Sequence, residues 1–132
     1  MPHWVIGIGL GLLATTVFAG HEIQEPKDKP LRATYYACVK ASRGVTLTLK
    51  NCIGDEHQFQ DKRLNVAYQK LREGLTTEQR TALRDEERAW ITQRDKACAT
   101  DPEGGTANML DSNQCLLNET AARAIVLEGR SK

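Results

Sequence analysis

The chain has 132 residues, carries 18 Lys and Arg against 17 Asp and Glu for a formal net charge of +1, and is 40% hydrophobic, 27% charged and 5% aromatic. That length fits one compact domain and excludes a large multidomain enzyme. The even charge balance lacks the cationic excess of a nucleic-acid binder, so no nucleic-acid partner is expected, and the scarcity of aromatics calls for an aliphatic core helped by covalent links.

Residues 1–19 read as a removable leader. An apolar run from Trp4 to Ala14 is followed by Val17 and Ala19, the small residues a signal peptidase requires, so cleavage is expected after Ala19, leaving about 113 residues. The run falls short of the roughly twenty residues a spanning helix needs, and its glycines lower helical propensity further. The leader has no Lys or Arg, and no cysteine follows the cleavage position, so a lipid tether is not indicated. Residues 20–30 are polar, carry Pro26 and Pro30, and are expected to form a flexible arm ahead of a single domain over 31–132. The expected location is periplasmic or secreted, with no membrane attachment after cleavage.

Cys38, Cys52, Cys98 and Cys115 all fall in the mature chain, and an even count in a small exported domain reads as two disulfides. Counting alone leaves three connectivities open. Cys38–Cys52 with Cys98–Cys115 is favoured, because each bond staples a local helix-loop-helix corner and leaves the middle hairpin free to form. A four-thiolate zinc site is disfavoured by the absence of paired C-x-x-C spacing, and no metal or cofactor is expected.

In chain order, residues 31–42 suggest a short helix ending near Arg43-Gly44. Val45 to Leu49 alternates like a strand, but Leu49, Ile53, Gln60, Leu64, Ala67 and Leu71 recur at helical spacing, so one long helix is expected over 46–73. Gly74 then stands where a helix ends, and Thr76 with Gln79 forms a T-x-x-Q capping box that launches a second long helix over 77–99. So short a connection demands an antiparallel hairpin. Asp101 to Thr106 reads as a loop, and a last helix is expected over 108–128. The fold class is therefore all-α, a small helical bundle built on a long antiparallel hairpin and stapled by two disulfides.

Leu64-Asn65-x-x-Tyr68-x-x-Leu71, then Leu83, then Glu87-Arg88-Ala89-Trp90-Ile91-x-x-Arg94-Asp95-x-x-Cys98, then Cys115, Thr120, Arg123 and Leu127 form one spaced pattern. It resembles the LN-x-x-Y-x-x-L … Q-x-x-W-x-x-x-R-x-x-x-C … C … T-x-x-R-x-x-x-L signature of the lysozyme-inhibitor LprI-like family, and Cys38 and Cys52 fit that family's earlier cysteine pair. The chain departs from the pattern in carrying Glu87 where Gln is usual. The resemblance implies a small exported helical bacterial protein, not an enzyme, that binds a lysozyme or another cell-wall-active protein. The alternative is a non-enzymatic periplasmic module that binds a different envelope protein or a secreted toxin and leaves lysozyme alone.

Glu87, Trp90 and Arg94 share one helical face, with Thr120 and Arg123 expected to approach from the last helix. The structural reading, in which Trp90 fills the core and Arg94 or Arg123 neutralises Glu87, outweighs a recognition cluster. Asn65 and Tyr68 are expected to tie helices together by hydrogen bonds. His21 and His57 are expected at the surface, as are Lys62, Arg63, Lys70 and Arg72. If the protein does inhibit an enzyme, the expected contact is a projecting segment over 100–112, closed at its base by Cys98–Cys115 and presenting Asp101, Glu103, Gly104, Gly105 and Asp111.

Overall fold

The computed structural model describes residues 31–132, so the expected leader and arm lie outside the described residues. Four helices follow in order: α1 (Ala33–Ala41), α2 (Thr46–Glu73), α3 (Thr77–Ala97) and α4 (Gly105–Arg130). No strand occurs among the described residues, and Val45 to Leu49 enters α2 as the longer helical period predicts.

Each corner has its own chemistry. Between α1 and α2 the buried Ser42 donates from Oγ to the Val39 carbonyl at 2.6 Å and accepts from the Gly44 N–H at 3.2 Å. Gly44 turns the chain at φ +79, the left-handed region that costs a glycine least. Between α2 and α3 the expected capping box forms: Thr76 Oγ1 accepts from Gln79 N–H at 3.2 Å, and Gln79 Oε1 accepts from Thr76 N–H at 3.0 Å. The Arg80 side chain also donates back to the Arg72 carbonyl at 3.0 Å, securing the open end of α2.

Both favoured disulfides are present, with Cα atoms 5.7 Å apart in Cys38–Cys52 and 5.5 Å apart in Cys98–Cys115. The first ties α1 to α2 and the second ties the end of α3 to α4.

α2 and α4 are the closest pair of helices. Contacts rise along both helices together, from His57 with Thr120 to Arg63 with Glu128, so the two run parallel. Their proximity follows from the small buried side chains of Ala67, Ala121 and Ala124 at the seam. One apolar cluster joins Leu31 and Tyr35 to Cys52, Ile53, Leu117 and Ala121, and a second joins Leu64, Ala67 and Leu83 to Ala124 and Leu127. α3 completes the antiparallel hairpin with α2 but stands farther off and reaches the core through Leu83 and the half-buried Trp90. The hairpin forms as its short connection demands, but the tightest seam lies between α2 and α4.

Helix ends shift by a few residues. α3 stops at Ala97 with Cys98 as its C-cap, and α4 starts at Gly105 and continues to Arg130. This shortens the segment between them.

Candidate functional site

The corner between α3 and α4 is built backbone outward. Asp101 accepts from Glu103 N–H through Oδ1 at 2.9 Å and from Gly104 N–H through its carbonyl at 3.0 Å, while its own N–H donates to Asn108 Oδ1 at 2.7 Å. A side chain on Gly104 would collide with Asn108, whose Cβ lies 2.5 Å from where a Cβ would stand. Gly105 begins α4 at φ +66, again a glycine conformation. At the base, Ser112 Oγ donates to the Cys98 carbonyl beside the disulfide.

The structure corrects the extent of the expected binding segment. Only residues 98–104 lie outside helices; Gly105 opens α4, and Asp111 lies exposed on its second turn. Asp101 is spent on shaping the turn. Glu103 and Asp111 remain exposed with no ion pair among the described residues.

The residues of the spaced pattern come together across three helices. Leu64, Asn65 and Tyr68 of α2 face Glu87, Trp90, Ile91 and Arg94 of α3 across a shallow groove of about 290 Å³. Glu87 pairs with Arg123 from α4, whose Nε donates at 2.9 Å, and Arg123 also donates to Glu86 at 2.6 Å, which accepts from Arg130 at 2.7 Å. The guanidinium carbons of Arg94 and Arg123 stand 5.0 and 5.8 Å from the Trp90 ring centroid, within cation–π range. Hydrogen bonding from Arg123 holds the Glu86 carboxyl below its ordinary value. Leu71 and Leu127 join the second apolar cluster, and Thr120 is fully buried. Glu87 with Arg123 is thus the expected neutralising pair, and the cluster clamps α3 onto α4.

Asn65 departs from its expected role. It is exposed and its Nδ2 donates weakly to Asp61 of its own helix at 3.4 Å, so it ties no helices together. Tyr68 is half-buried against the second cluster, with the Arg72 guanidinium 5.6 Å from its ring centroid.

Three polar groups escaped the sequence reading. Glu56, with a 1% exposed side chain, accepts from Arg32 Nε at 2.8 Å and from Gln60 Nε2 at 2.7 Å. Arg63 donates through Nε and Nη2 to both oxygens of Glu128 at 2.6 Å, the bidentate geometry that makes such pairs strong, and this lowers the Glu128 pKa. His57 is half-buried, 3.3 Å from Thr120 Oγ1, and burial lowers its pKa. Arg63 and His57 are therefore not the solvated side chains expected. The signal for Glu56 was its position one turn from Gln60 on the inward stripe of α2; Arg63 and His57 border that stripe, and only the neighbouring helix α4 supplies their partners.

Among the described residues, no group of three or more His, Cys, Asp or Glu is placed to hold a metal ion, and no helix is long and apolar enough to cross a membrane. Two disulfide-closed corners, a three-helix seam and a clamp of ion pairs define a small, rigid helical scaffold of the kind exported proteins use. The chain belongs to the lysozyme inhibitor LprI family, whose profile matches residues 38–127. No curated protein and no solved structure matches it. The family is named for blocking an enzyme, which makes the expected partner a protein, and the two disulfides accord with an oxidising, exported setting.

Proposed function

We propose that this protein is exported after cleavage of residues 1–19, and that its domain over 31–132 binds a lysozyme or related cell-wall-active enzyme and blocks its cleft. The observation that carries this reading is the match to the lysozyme inhibitor LprI family across residues 38–127. The corner at residues 98–104 is the contact proposed. Its turn is ordered by three hydrogen bonds around Asp101 and closed by Cys98–Cys115, so little freedom is lost on binding, and it offers the exposed Glu103, with the exposed Asp111 on the second turn of α4, to a cationic surface.

The test is lysis of a peptidoglycan suspension by several lysozyme types, followed by turbidity, with the oxidised chain and with a reduced and alkylated control. Dose-dependent slowing that disappears on reduction supports inhibition. Undiminished lysis at tens of micromolar against every type overturns it.

A further inference from the structure

A large concavity lies away from the proposed contact, between the C-terminal half of α2 and the C-terminal end of α4. It is a groove of about 610 Å³ lined by the apolar Phe59, Val66 and Ala67 and by Lys62, Lys70 and Lys132, with the Arg63–Glu128 pair across it. Phe59 is 42% exposed and Val66 60% exposed, so apolar surface on α2 is left uncovered. The two arginines nearby are already neutralised: Arg32 lies 3.8 Å from the Phe59 ring centroid but pairs with Glu56, and Arg63 pairs with Glu128. Lys62 and Lys70 have no ion pair among the described residues. An apolar floor edged by unneutralised ammonium groups selects an occupant that is apolar on one side and anionic on the other.

We infer that this groove docks an acidic amphipathic helix of a partner protein, with its apolar side chains on Phe59 and Val66 and its carboxylates toward Lys62 and Lys70. The shape favours a helix over a membrane surface. The apolar lining of α2 and the end of α4 at Glu128 enclose a concavity that receives a convex row of side chains, whereas insertion into a bilayer needs an apolar face that projects as a whole. From Phe59 to Lys70 the lining runs about 16 Å along α2 at the helical rise, three turns of an occupant anchored at i, i+3/i+4 and i+7. The inference is independent of lysozyme inhibition, because it uses a different face and the opposite charge.

The probe is a fluorescein-labelled peptide of about 14 residues, Leu on one helical face and Glu and Gln on the other, against the oxidised full chain, read by anisotropy. Saturable binding is expected, weakened about tenfold or more by the double variant Lys62→Glu/Lys70→Glu and by Val66→Asp, with unchanged circular dichroism, since all three positions are exposed. A Leu/Lys peptide of the same pattern should not bind. Absent binding, equal binding of both peptides, or affinity indifferent to these substitutions would overturn the inference. So would dodecanoate competing at its own micromolar affinity, which assigns the groove to a small amphiphile, or self-association abolished by Val66→Asp, which assigns it to a second copy. Carbodiimide coupling of Lys62 or Lys70 to Glu22 or Glu25 within one chain would give the groove to the chain's own N-terminal residues and overturn it equally.

Discussion

Arg32 meets Glu56 twice, its backbone N–H donating to Oε1 at 3.0 Å and its Nε to Oε2 at 2.8 Å, with the glutamate side chain 1% exposed and the arginine 40% exposed. The pair fastens the entry to α1 onto the middle of α2, and its lopsided burial makes the two partners unequal. Arg32→Ala removes the guanidinium and leaves the buried carboxylate with only the residue-32 N–H and Gln60 as donors, a change that costs about 3 kcal/mol. Glu56→Gln keeps an acceptor for the Arg32 N–H and for Gln60 and frees an arginine that reaches water, at a cost of about 1–2 kcal/mol. Urea unfolding at neutral pH measures both. A glutamine variant as damaged as the alanine variant would contradict the asymmetry.

α3 buries only Leu83 fully and, beyond the Cys98–Cys115 disulfide at its end, is held to α4 by Arg123 on Glu86 and Glu87. Arg123→Ala is expected to loosen α3 before it unfolds the domain. Amide exchange should rise over 77–97 while the α2 and α4 amides near Leu64 and Ala124 keep their protection. A uniform rise across all helices would mean that the clamp is part of one cooperative unit.

Burial lowers the His57 pKa below its ordinary 6.5, with Asp61 opposing and Arg94 reinforcing. The unfolded chain therefore takes up the proton first as pH falls. The stabilisation from neutral His57 is complete above 6.5 and is lost as pH drops through the lower folded value. Glu86 and Glu128, both held below 4.5 by arginine hydrogen bonds, lose theirs only at lower pH. Urea midpoints between about pH 7.5 and pH 5.5 should fall in the native chain and fall less in His57→Gln. Parallel slopes for the two proteins would remove His57 as the source.

The two disulfides close stretches with sequence separations of 14 and 17, each contributing about 3 kcal/mol through loop entropy. Replacing either pair by alanine is expected to lower the unfolding free energy by about that amount. The Cys98–Cys115 variant should in addition expose residues 98–104 to limited proteolysis, while the Cys38–Cys52 variant leaves that corner resistant.

Within the proposed inhibitory contact, Glu103 is the informative position because Asp101 is occupied with the turn. Glu103→Lys should weaken inhibition about tenfold with unchanged thermal stability. Asp101→Ala should lower both. Inhibition indifferent to Glu103→Lys would move the contact elsewhere on the scaffold.

The helices and their corners follow from local patterns in the sequence. The α2 stripe at Ile53, Gln60, Leu64 and Ala67, Gly74 with the Thr76–Gln79 capping box, and Gly104-Gly105 before α4 are local signals, readable because they depend on residues a few positions apart. The favoured cysteine pairing rested on the same locality, each bond closing one corner. The tertiary structure alone decided which helices pack closest, because a parallel seam between α2 and α4 depends on Ala67, Ala121 and Ala124 meeting across more than fifty positions. It also decided the fate of the polar residues: Glu56, His57 and Arg63 read as ordinary charges on a helix until Arg32, Thr120 and Glu128 are brought against them. An ionic or hydrogen-bonding partner is a property of proximity in space, and no periodicity along α2 encodes which side chains α1 and α4 will present to it.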